Sequence, residues 1–206
     1  MELYLVRHGE VVPPAPGAFY GGTEVPLSAT GREQAEAAAA LLGGVRLDAV
    51  YSSPLSRARF GAERVAERQG LEVRERVELR EIDRGRWTGH TKEQIEARWP
   101  GQLAAHDADL EGWRGNGGET FGDLRDRVVP AVEEVIGAHP GGAVAVVCHL
   151  FPIRAVLAQV LGVPLEGWAQ LRLPTGSVSL VEVGGAGLEQ AVVRWHGRRG
   201  DDAGDA

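Results

Sequence analysis

A chain of 206 residues, 43% of them hydrophobic and 25% charged, has the composition of an ordinary globular protein and the length of one large domain. Its formal net charge of −7 argues against non-specific binding to nucleic acid, which requires basic patches that neutralise phosphates. The only cysteine is Cys148, which excludes an intramolecular disulfide and a thiolate metal cage. Since no apolar run is long enough to span a membrane and no signal peptide precedes the first strand, we expect a cytoplasmic protein without a membrane partner.

The first predicted element is an apolar strand over residues 3–6 that ends directly in Arg7 and His8. A short apolar run of this kind is typical of a strand that is buried on both faces of a parallel sheet. Because unpaired charge is costly to bury, we expect Arg7 and His8 at the carboxyl end of the strand, where open α/β sheets bind their ligands. Gly9, which has no side chain, would allow the backbone to approach a bound ligand closely.

Further along the chain, predicted helices and strands alternate, separated by segments rich in proline and glycine. The later strands are expected at residues 48–51, 71–73, 143–148, 178–183 and 191–195. The helices are expected to begin at Ser28 or Thr30, at Ser53 with Pro54 as the first helical residue, at Thr91, at Thr120 and at Pro152. This alternation predicts an α/β fold, a three-layer α/β/α sandwich with a mostly parallel central sheet.

Residues 84–118 form the least regular part of the pattern. Three tryptophans are scattered there among glycines: Trp87, Trp99 and Trp113. This arrangement suggests a small irregular cap that packs over the rest of the molecule. We expect residues 1–196 to form a single domain containing this cap-like insertion, and residues 197–206 to form a disordered acidic tail.

Two of the apolar strands end in a histidine, His8 after the first strand and His149 after the strand at residues 143–148. If these strands are neighbours, both imidazoles face the same crevice. Arg7, and Arg57 near the start of the second helix, add guanidinium groups whose fork-shaped donors match phosphate oxygens. Nearby positive charge disfavours protonation of a histidine, which is then a good nucleophile and a poor metal ligand. The predicted chemistry is phosphoryl transfer to His8.

An alkoxide leaving group needs a proton, and Glu81 is the candidate donor. Partial burial would raise the pKa of this carboxyl, so that it protonates the leaving group and later activates water. The expected partner is a small-molecule phosphate ester, and the prediction includes no metal and no cofactor.

The segment Leu-Val-Arg-His-Gly-Glu around His8 resembles the signature of the histidine phosphatase superfamily, which includes cofactor-dependent phosphoglycerate mutases. Five further segments resemble the family in the expected order over nearly the whole chain: residues 26–35, 52–58, 79–89, 117–120 and 147–154. The resemblance implies that His8 becomes phosphorylated and that Glu81 acts first as acid and then as base. It also implies that Arg7, Arg57 and His149 hold the phosphoryl group and that no metal is required.

The chain departs from the family pattern in its polar contacts. Val11 and Pro14 replace a threonine and an asparagine that touches phosphate in many members, and Tyr20 or Thr23 could supply the missing donor. Leu150 stands where a small residue usually follows the second histidine, and it would narrow the crevice.

A further departure adds charge beside the proposed acid. Arg84 replaces a usual aromatic residue, and we expect it either to lower the pKa of Glu81 or to bind an anion of the substrate. The residues expected to contact the substrate, apart from the catalytic ones, are Gly9, Tyr20, Thr23, Arg84 and Leu150.

The leading interpretation is a phosphatase that hydrolyses its phosphohistidine with water. A mutase is the alternative within the family, but the stretch 91–118 is short and carries few basic residues, which favours hydrolysis. The loop 17–27 is similar to loops of α-ribazole phosphate phosphatases, and its Phe19 and Tyr20 could pack on an aromatic base. α-Ribazole 5′-phosphate is therefore the candidate substrate, with sugar phosphates, nucleotides and phosphoserine left open.

An alternative from a different class is a non-catalytic module that binds phosphate or phosphorylated protein. A broad open crevice would favour such a module, whereas a cap over the site favours small esters. The three tryptophans within residues 84–118 favour the cap. Whether the protein forms a homodimer is left open.

Overall fold

The computed structural model describes residues 1–13, 15–185 and 187–200, which form six strands and six α-helices. The strands are β1 (Glu2–Arg7), β2 (Ala49–Ser52), β3 (Val73–Glu75), β4 (Ala143–Cys148), β5 (Val178–Val183) and β6 (Ala191–Arg198). The helices are α1 (Ala29–Leu41), α2 (Ser56–Gln69), α3 (Lys92–Arg98), α4 (Gln102–Ala108), α5 (Phe121–Ala138) and α6 (Leu150–Leu161).

The strands form one mixed sheet in the order β3-β2-β4-β1-β5-β6. Neighbouring strands among β3, β2, β4 and β1 pair in parallel, whereas β5 is antiparallel to both β1 and β6. The mostly parallel sheet predicted from the sequence is therefore confirmed. Its parallel part brings the carboxyl ends of β1, β2 and β4 to one edge, where ligand crevices of such sheets lie.

Helices cover both faces of the sheet, so the predicted three-layer sandwich is confirmed. Alternate residues of the buried strand β4 contribute to two different apolar clusters, because successive side chains of a strand point to opposite faces. Val144 and Val146 pack with residues of α5 and α6, whereas Ala145 and Val147 pack with residues of α1 and α2.

Several element boundaries differ from the prediction. Helix α2 begins at Ser56 with Leu55 as its N-cap, so the predicted cap at Ser53 is wrong. Helix α6 begins at Leu150 and not at Pro152. Pro152 is tolerated in the first turn because N–H groups there have no intrahelical acceptor. The N-cap of α1 is Ser28, one of the two predicted alternatives, and its hydroxyl accepts the Gly31 N–H at 3.0 Å.

Strand β3 lies two residues later than predicted. It is the edge strand of the sheet, and its residues are exposed or only half-buried, so no alternation of apolar residues marks its start.

The segment 84–118 is more regular than predicted, because it contains α4 as well as the expected α3. Helix α4 has no buried residue and no side-chain N-cap, so it carries neither an apolar stripe nor a capping signal. The segment is anchored by Trp87, which is buried and lies 5.1 Å from Trp113 between ring centroids.

The end of the chain differs from the predicted tail. Strand β6 continues through Arg198, and the Gly197 N–H donates to Oγ of Ser179 at 3.1 Å, so the ordered strand passes the predicted boundary at residue 196. Residues 201–206 lie outside the described part, and a tail there stays a prediction. Among the helices that the structure describes, none is both long enough and apolar enough to cross a membrane.

Candidate active site

The two histidines predicted to share a crevice are brought together by the pairing of β1 with β4. The register places Arg7 opposite Cys148, so His8 and His149 leave the sheet side by side. The His8 N–H also donates to the Cys148 carbonyl at 3.1 Å. The centroids of the two imidazole rings are 5.0 Å apart, a distance at which both side chains can contact one phosphate group.

The protonation state of His8 follows from its surroundings. Its Nδ1 lies 2.6 Å from the Gly9 carbonyl, and since a carbonyl only accepts, Nδ1 carries the proton and Nε2 holds the free electron pair. Burial and the charge of Arg57, followed by that of Arg7, lower the pKa of His8 to about 3. At neutral pH the side chain is therefore an uncharged imidazole with Nε2 available as a nucleophile.

Two guanidinium groups lie beside the histidines, and backbone carbonyls hold both in position. Arg57 donates through Nη1 to Thr23 at 2.6 Å and through Nη2 to Gly21 at 2.7 Å, while Nη1 of Arg7 donates to Leu173. Nε of each arginine is buried and has no hydrogen-bond partner among the described residues. Because carbonyls do not neutralise a guanidinium, both positive charges remain available to an anion.

His149 is oriented by Ser53, a role that was not predicted from the sequence. Oγ of Ser53 lies 2.8 Å from Nε2 of His149 and accepts the Leu55 N–H at 3.3 Å. Its hydroxyl proton has no other acceptor in the described ranges, so we assign it to Nε2, which leaves the proton of the imidazole on Nδ1. Nδ1 is buried and unpartnered within those ranges, so it can donate to a bound oxyanion.

A signal for Ser53 exists in the sequence. Ser53 directly follows the buried strand β2, as His8 follows β1 and His149 follows β4. Since β2 pairs in parallel with β4, polar residues after both strands meet at the same edge of the sheet.

Glu81 lies in the same region, with its carboxyl group turned toward the start of α6. Oε1 accepts the N–H of Ile82 at 3.0 Å and that of Phe151 at 3.3 Å. Burial raises the pKa of Glu81, although the Ile82 N–H and nearby guanidinium groups, that of Arg84 first, act in the opposite direction. The raised pKa extends the protonated form of the carboxyl to higher pH, as a proton donor requires.

The loop predicted to supply a further polar contact holds Arg57 in position, and its contact with substrate stays a prediction. The Thr23 hydroxyl donates to the Tyr20 carbonyl at 2.6 Å within the turn, and Thr23 reaches the site only through its own carbonyl on Arg57. The Tyr20 ring lies 5.3 Å from the guanidinium carbon of Arg57. Val11 forms a bridge with Leu27, and Pro14 lies outside the described residues.

Gly9 is required for close packing of the backbone against another glycine, and its predicted approach to a bound ligand stays a prediction. A Cβ at Gly9 would lie 1.9 Å from the Gly31 carbonyl oxygen in the first turn of α1. Leu150 is half-buried against the apolar cluster on the α5 and α6 side of the sheet. Its predicted contact with substrate stays a prediction.

Arg84 is buried beside three aromatic rings. Its guanidinium carbon lies 4.8 Å from the ring centroid of Phe151, 5.2 Å from that of Phe19 and 5.4 Å from that of Phe121. Two roles were expected for Arg84. Its charge does lower the pKa of Glu81, but burial has the larger effect and raises that pKa.

The sandwich fold and the cluster of two neutral histidines and two arginines define an α/β enzyme site for a tetrahedral anion such as phosphate. Residues 3–196 match the family model described as histidine phosphatase superfamily (branch 1), and the chain belongs to this family.

Named relatives agree with this assignment. The chain is 32% identical to phosphoserine phosphatase 1 of Hydrogenobacter thermophilus over 183 residues, which cover 89% of this chain and 87% of the relative. It is 35% identical to glucosyl-3-phosphoglycerate phosphatase of Mycobacterium tuberculosis over 205 residues, which cover 94% and 91% of the two chains. The structure of the α-ribazole phosphatase from Shigella flexneri superposes with a TM-score of 0.86 at 26% identity, covering 96% of each chain. The protein is therefore a phosphatase.

Proposed function

We propose that the protein hydrolyses a small phosphate monoester through a phosphohistidine formed on His8. The observation that supports this most directly is the position of neutral His8 next to His149, with two arginine charges acting on both rings. A neutral nucleophile surrounded by fixed cations suits attack on an anionic phosphoryl group, which depends mainly on positioning and charge stabilisation.

In the first step, Nε2 of His8 attacks phosphorus, a P–N bond forms and the bond from phosphorus to the ester oxygen breaks. The protonated Glu81 carboxyl gives its proton to the departing oxygen, which leaves as an alcohol. The raised pKa of Glu81 supports this role, because a carboxyl with an ordinary pKa would be almost fully ionised near neutral pH.

In the second step, the Glu81 carboxylate takes a proton from water, and the water oxygen attacks the phosphorus of phosphohistidine. The P–N bond breaks, inorganic phosphate leaves and His8 is neutral again. Arg7, Arg57 and the Nδ1 proton of His149 hold the phosphoryl oxygens in both steps.

Ser53 acts in this proposal as a positioning residue for His149. We expect Ser53→Ala to weaken the binding of inorganic phosphate about tenfold, because the loss of one hydrogen bond frees the tautomer and orientation of the imidazole. Isothermal titration with phosphate measures this effect. The matched control is Ser52→Ala, since Ser52 is equally buried and its hydroxyl donates to the Ser53 carbonyl at 2.7 Å instead of contacting a histidine. Equal loss of affinity in both variants would contradict the role of Ser53.

The particular ester is a separate proposal. α-Ribazole 5′-phosphate stays the candidate, supported by Phe19 and Tyr20, which lie in the loop beside Arg57 and Arg84. Thr23, Gly9 and Leu150 keep their predicted place near the substrate as part of the same hypothesis. The names of the relatives add phosphoserine and glucosyl-3-phosphoglycerate to the esters that should be compared.

The test is a panel of phosphate esters with detection of free phosphate. It contains the three esters named above, sugar phosphates, nucleotides, and 3-phosphoglycerate with its bisphosphate primer. We expect phosphate release from one class of ester with kcat/KM of at least about 10⁴ M⁻¹s⁻¹, in the usual range for a physiological substrate. Conversion of 3-phosphoglycerate into an isomer without phosphate release would instead support the mutase alternative.

The module that binds phosphorylated protein is disfavoured by the cap. Residues from the segment 84–118, among them Trp87, Leu103 and Leu110, line a cavity next to the site, and such enclosure suits a small ester. A single domain over residues 1–196, a cytoplasmic location, the lack of a nucleic-acid partner and a homodimer all stay predictions.

A further inference from the structure

A cavity of about 520 Å³ lies beside the segment that carries Glu81, and Arg84 and Phe151 line it, whereas none of the five predicted catalytic residues does. Phe151 joins the cavity to Glu81, because its N–H donates to Oε1 of Glu81 and its ring lines the cavity. The walls are mainly aromatic and aliphatic: Phe19, Trp87, Phe121, Phe151, Leu165 and Trp168. A leaving group in this cavity would be in contact with flat apolar surfaces.

One wall of the cavity carries a buried cation that forms no ion pair in the described part of the chain. Arg84 is only 6% exposed, and its guanidinium makes no hydrogen bond or ion pair within residues 1–13, 15–185 and 187–200. Burial lowers the pKa of Arg84 to about 10, so the group still carries its charge at neutral pH. A buried charge of this kind is costly unless something pairs with it, and the three neighbouring rings offset only part of the cost.

Glu81 does not serve as the counter-ion of Arg84 in the first step, in which the leaving group departs. It acts as acid there, so its carboxyl is uncharged when the ester is bound. Arg154 also lines the cavity, but its guanidinium donates to the carbonyls of Leu171 at 3.2 Å and Ala169 at 3.3 Å. Lys92, Asp107 and Glu166 also line the cavity, but all three are exposed and none pairs with Arg84 within the described residues. Arg84 is therefore the buried cation of this cavity that has free donors.

We propose that the leaving group of the physiological ester carries a carboxylate on an aromatic or similarly flat apolar body, and that this carboxylate binds Arg84. The inference rests on the proposed hydrolysis of a phosphate ester, because it takes the cavity beside Glu81 as the place of the leaving group. It disfavours α-ribazole 5′-phosphate as that ester, because the α-ribazole leaving group has no carboxylate. The planar guanidinium can meet a carboxylate with two parallel hydrogen bonds, which a neutral group of the same size cannot reproduce.

The test compares 3- and 4-carboxyphenyl phosphate with the corresponding carbamoylphenyl phosphates, which have similar shape but no charge. The quantity of interest is the ratio of kcat/KM for the carboxylate to that for the carbamoyl ester. In Arg84→Met, which keeps the apolar contact with the rings, we expect this ratio to fall about 10- to 100-fold for at least one isomer. Arg194→Met is the matched control, since Arg194 lies on the exposed edge strand β6, and it should leave the ratio unchanged.

The outcomes separate this inference from the proposal on which it rests. Equal ratios in the wild type and Arg84→Met, with hydrolysis of both esters lost in His8→Asn, would overturn the carboxylate site and leave the proposed function standing. Hydrolysis that does not depend on His8 would overturn the proposed function itself.

A second measurement covers the case in which Arg84→Met does not fold, as judged by circular dichroism. Carboxybenzyl and carbamoylbenzyl phosphonates are compared as competitive inhibitors of the wild type. Tighter inhibition by a carboxylated phosphonate, by about tenfold or more, is the expected result. Equal inhibition would overturn the inference.

Discussion

Replacement of His8 by asparagine is expected to reduce kcat by more than about 10⁴-fold for every ester that the protein hydrolyses, because the variant lacks the atom that receives the phosphoryl group. Binding of inorganic phosphate should persist within about tenfold, since the guanidinium groups of Arg7 and Arg57 and the Nδ1–H of His149 do not depend on His8. Steady-state phosphate release and titration with phosphate measure the two quantities separately.

The intermediate provides an independent check of the same prediction. Rapid quench with a ³²P-labelled ester should trap a phosphoprotein that is stable in alkali and labile in acid in the wild type, and no such species in His8→Asn. His196→Asn is the matched control, because His196 lies exposed on β6, and it should behave like the wild type. Trapped phosphate in His8→Asn, or an activity close to that of the wild type, would contradict phosphoryl transfer to His8.

The second large effect is expected at Glu81, and it should depend on the leaving group. Glu81→Gln keeps the shape of the side chain but removes the transferable proton, so hydrolysis of alkyl phosphates should fall about 10²- to 10⁴-fold in kcat/KM. 4-Nitrophenolate is a good leaving group that departs without protonation, so the first step with its phosphate ester should be much less affected. Its second step still requires a base for water, and a burst of nitrophenol equal to the enzyme concentration should therefore precede slow turnover.

The pH dependence of kcat/KM should also depend on the leaving group. Because Glu81 must be protonated in the first step, kcat/KM for an alkyl ester should fall as pH rises through the raised pKa of this carboxyl. The 4-nitrophenyl ester controls for ionisation of the phosphate itself, and the fall should be shallower with it. Glu72→Gln, at an exposed position, should leave both profiles unchanged. Identical profiles for the two esters, or equal losses in Glu81→Gln, would exclude Glu81 as the acid.

The parts of the fold that were predictable are those where local pattern and burial coincide. Strand β4 lies at the predicted residues because it is buried throughout, and a run of Val and Ala suits such a strand. Helix α5 begins after Thr120 as predicted, because Thr120 and Asp123 satisfy each other's backbone N–H groups in a capping box. Helix α4 was missed because none of its residues is buried, so its sequence has no apolar stripe.

The residues of the site were likewise predictable only where a local sequence pattern marks them. His8 and His149 were predicted as a pair because both follow buried strands, and polar residues at strand ends cannot enter the core. Ser53 was misread as a helix cap, because serine before proline is the usual start of a helix. Its hydroxyl bonds to His149 only through the pairing of β2 with β4, a contact between residues far apart in the chain.

Residue types and their order along the chain were enough to indicate the sandwich, the family and the two histidines with their arginines, since strand and helix patterns are local and charged groups must collect where strands end. The protonation of those groups depended on the folded arrangement. His8 is neutral because the core removes water from it and brings Arg57 near, and the pKa of Glu81 is set by burial acting against three arginines. That Arg84 is buried and forms no ion pair within the described residues likewise became visible only in three dimensions, because burial and the distance to a carboxylate are properties of packing and not of sequence.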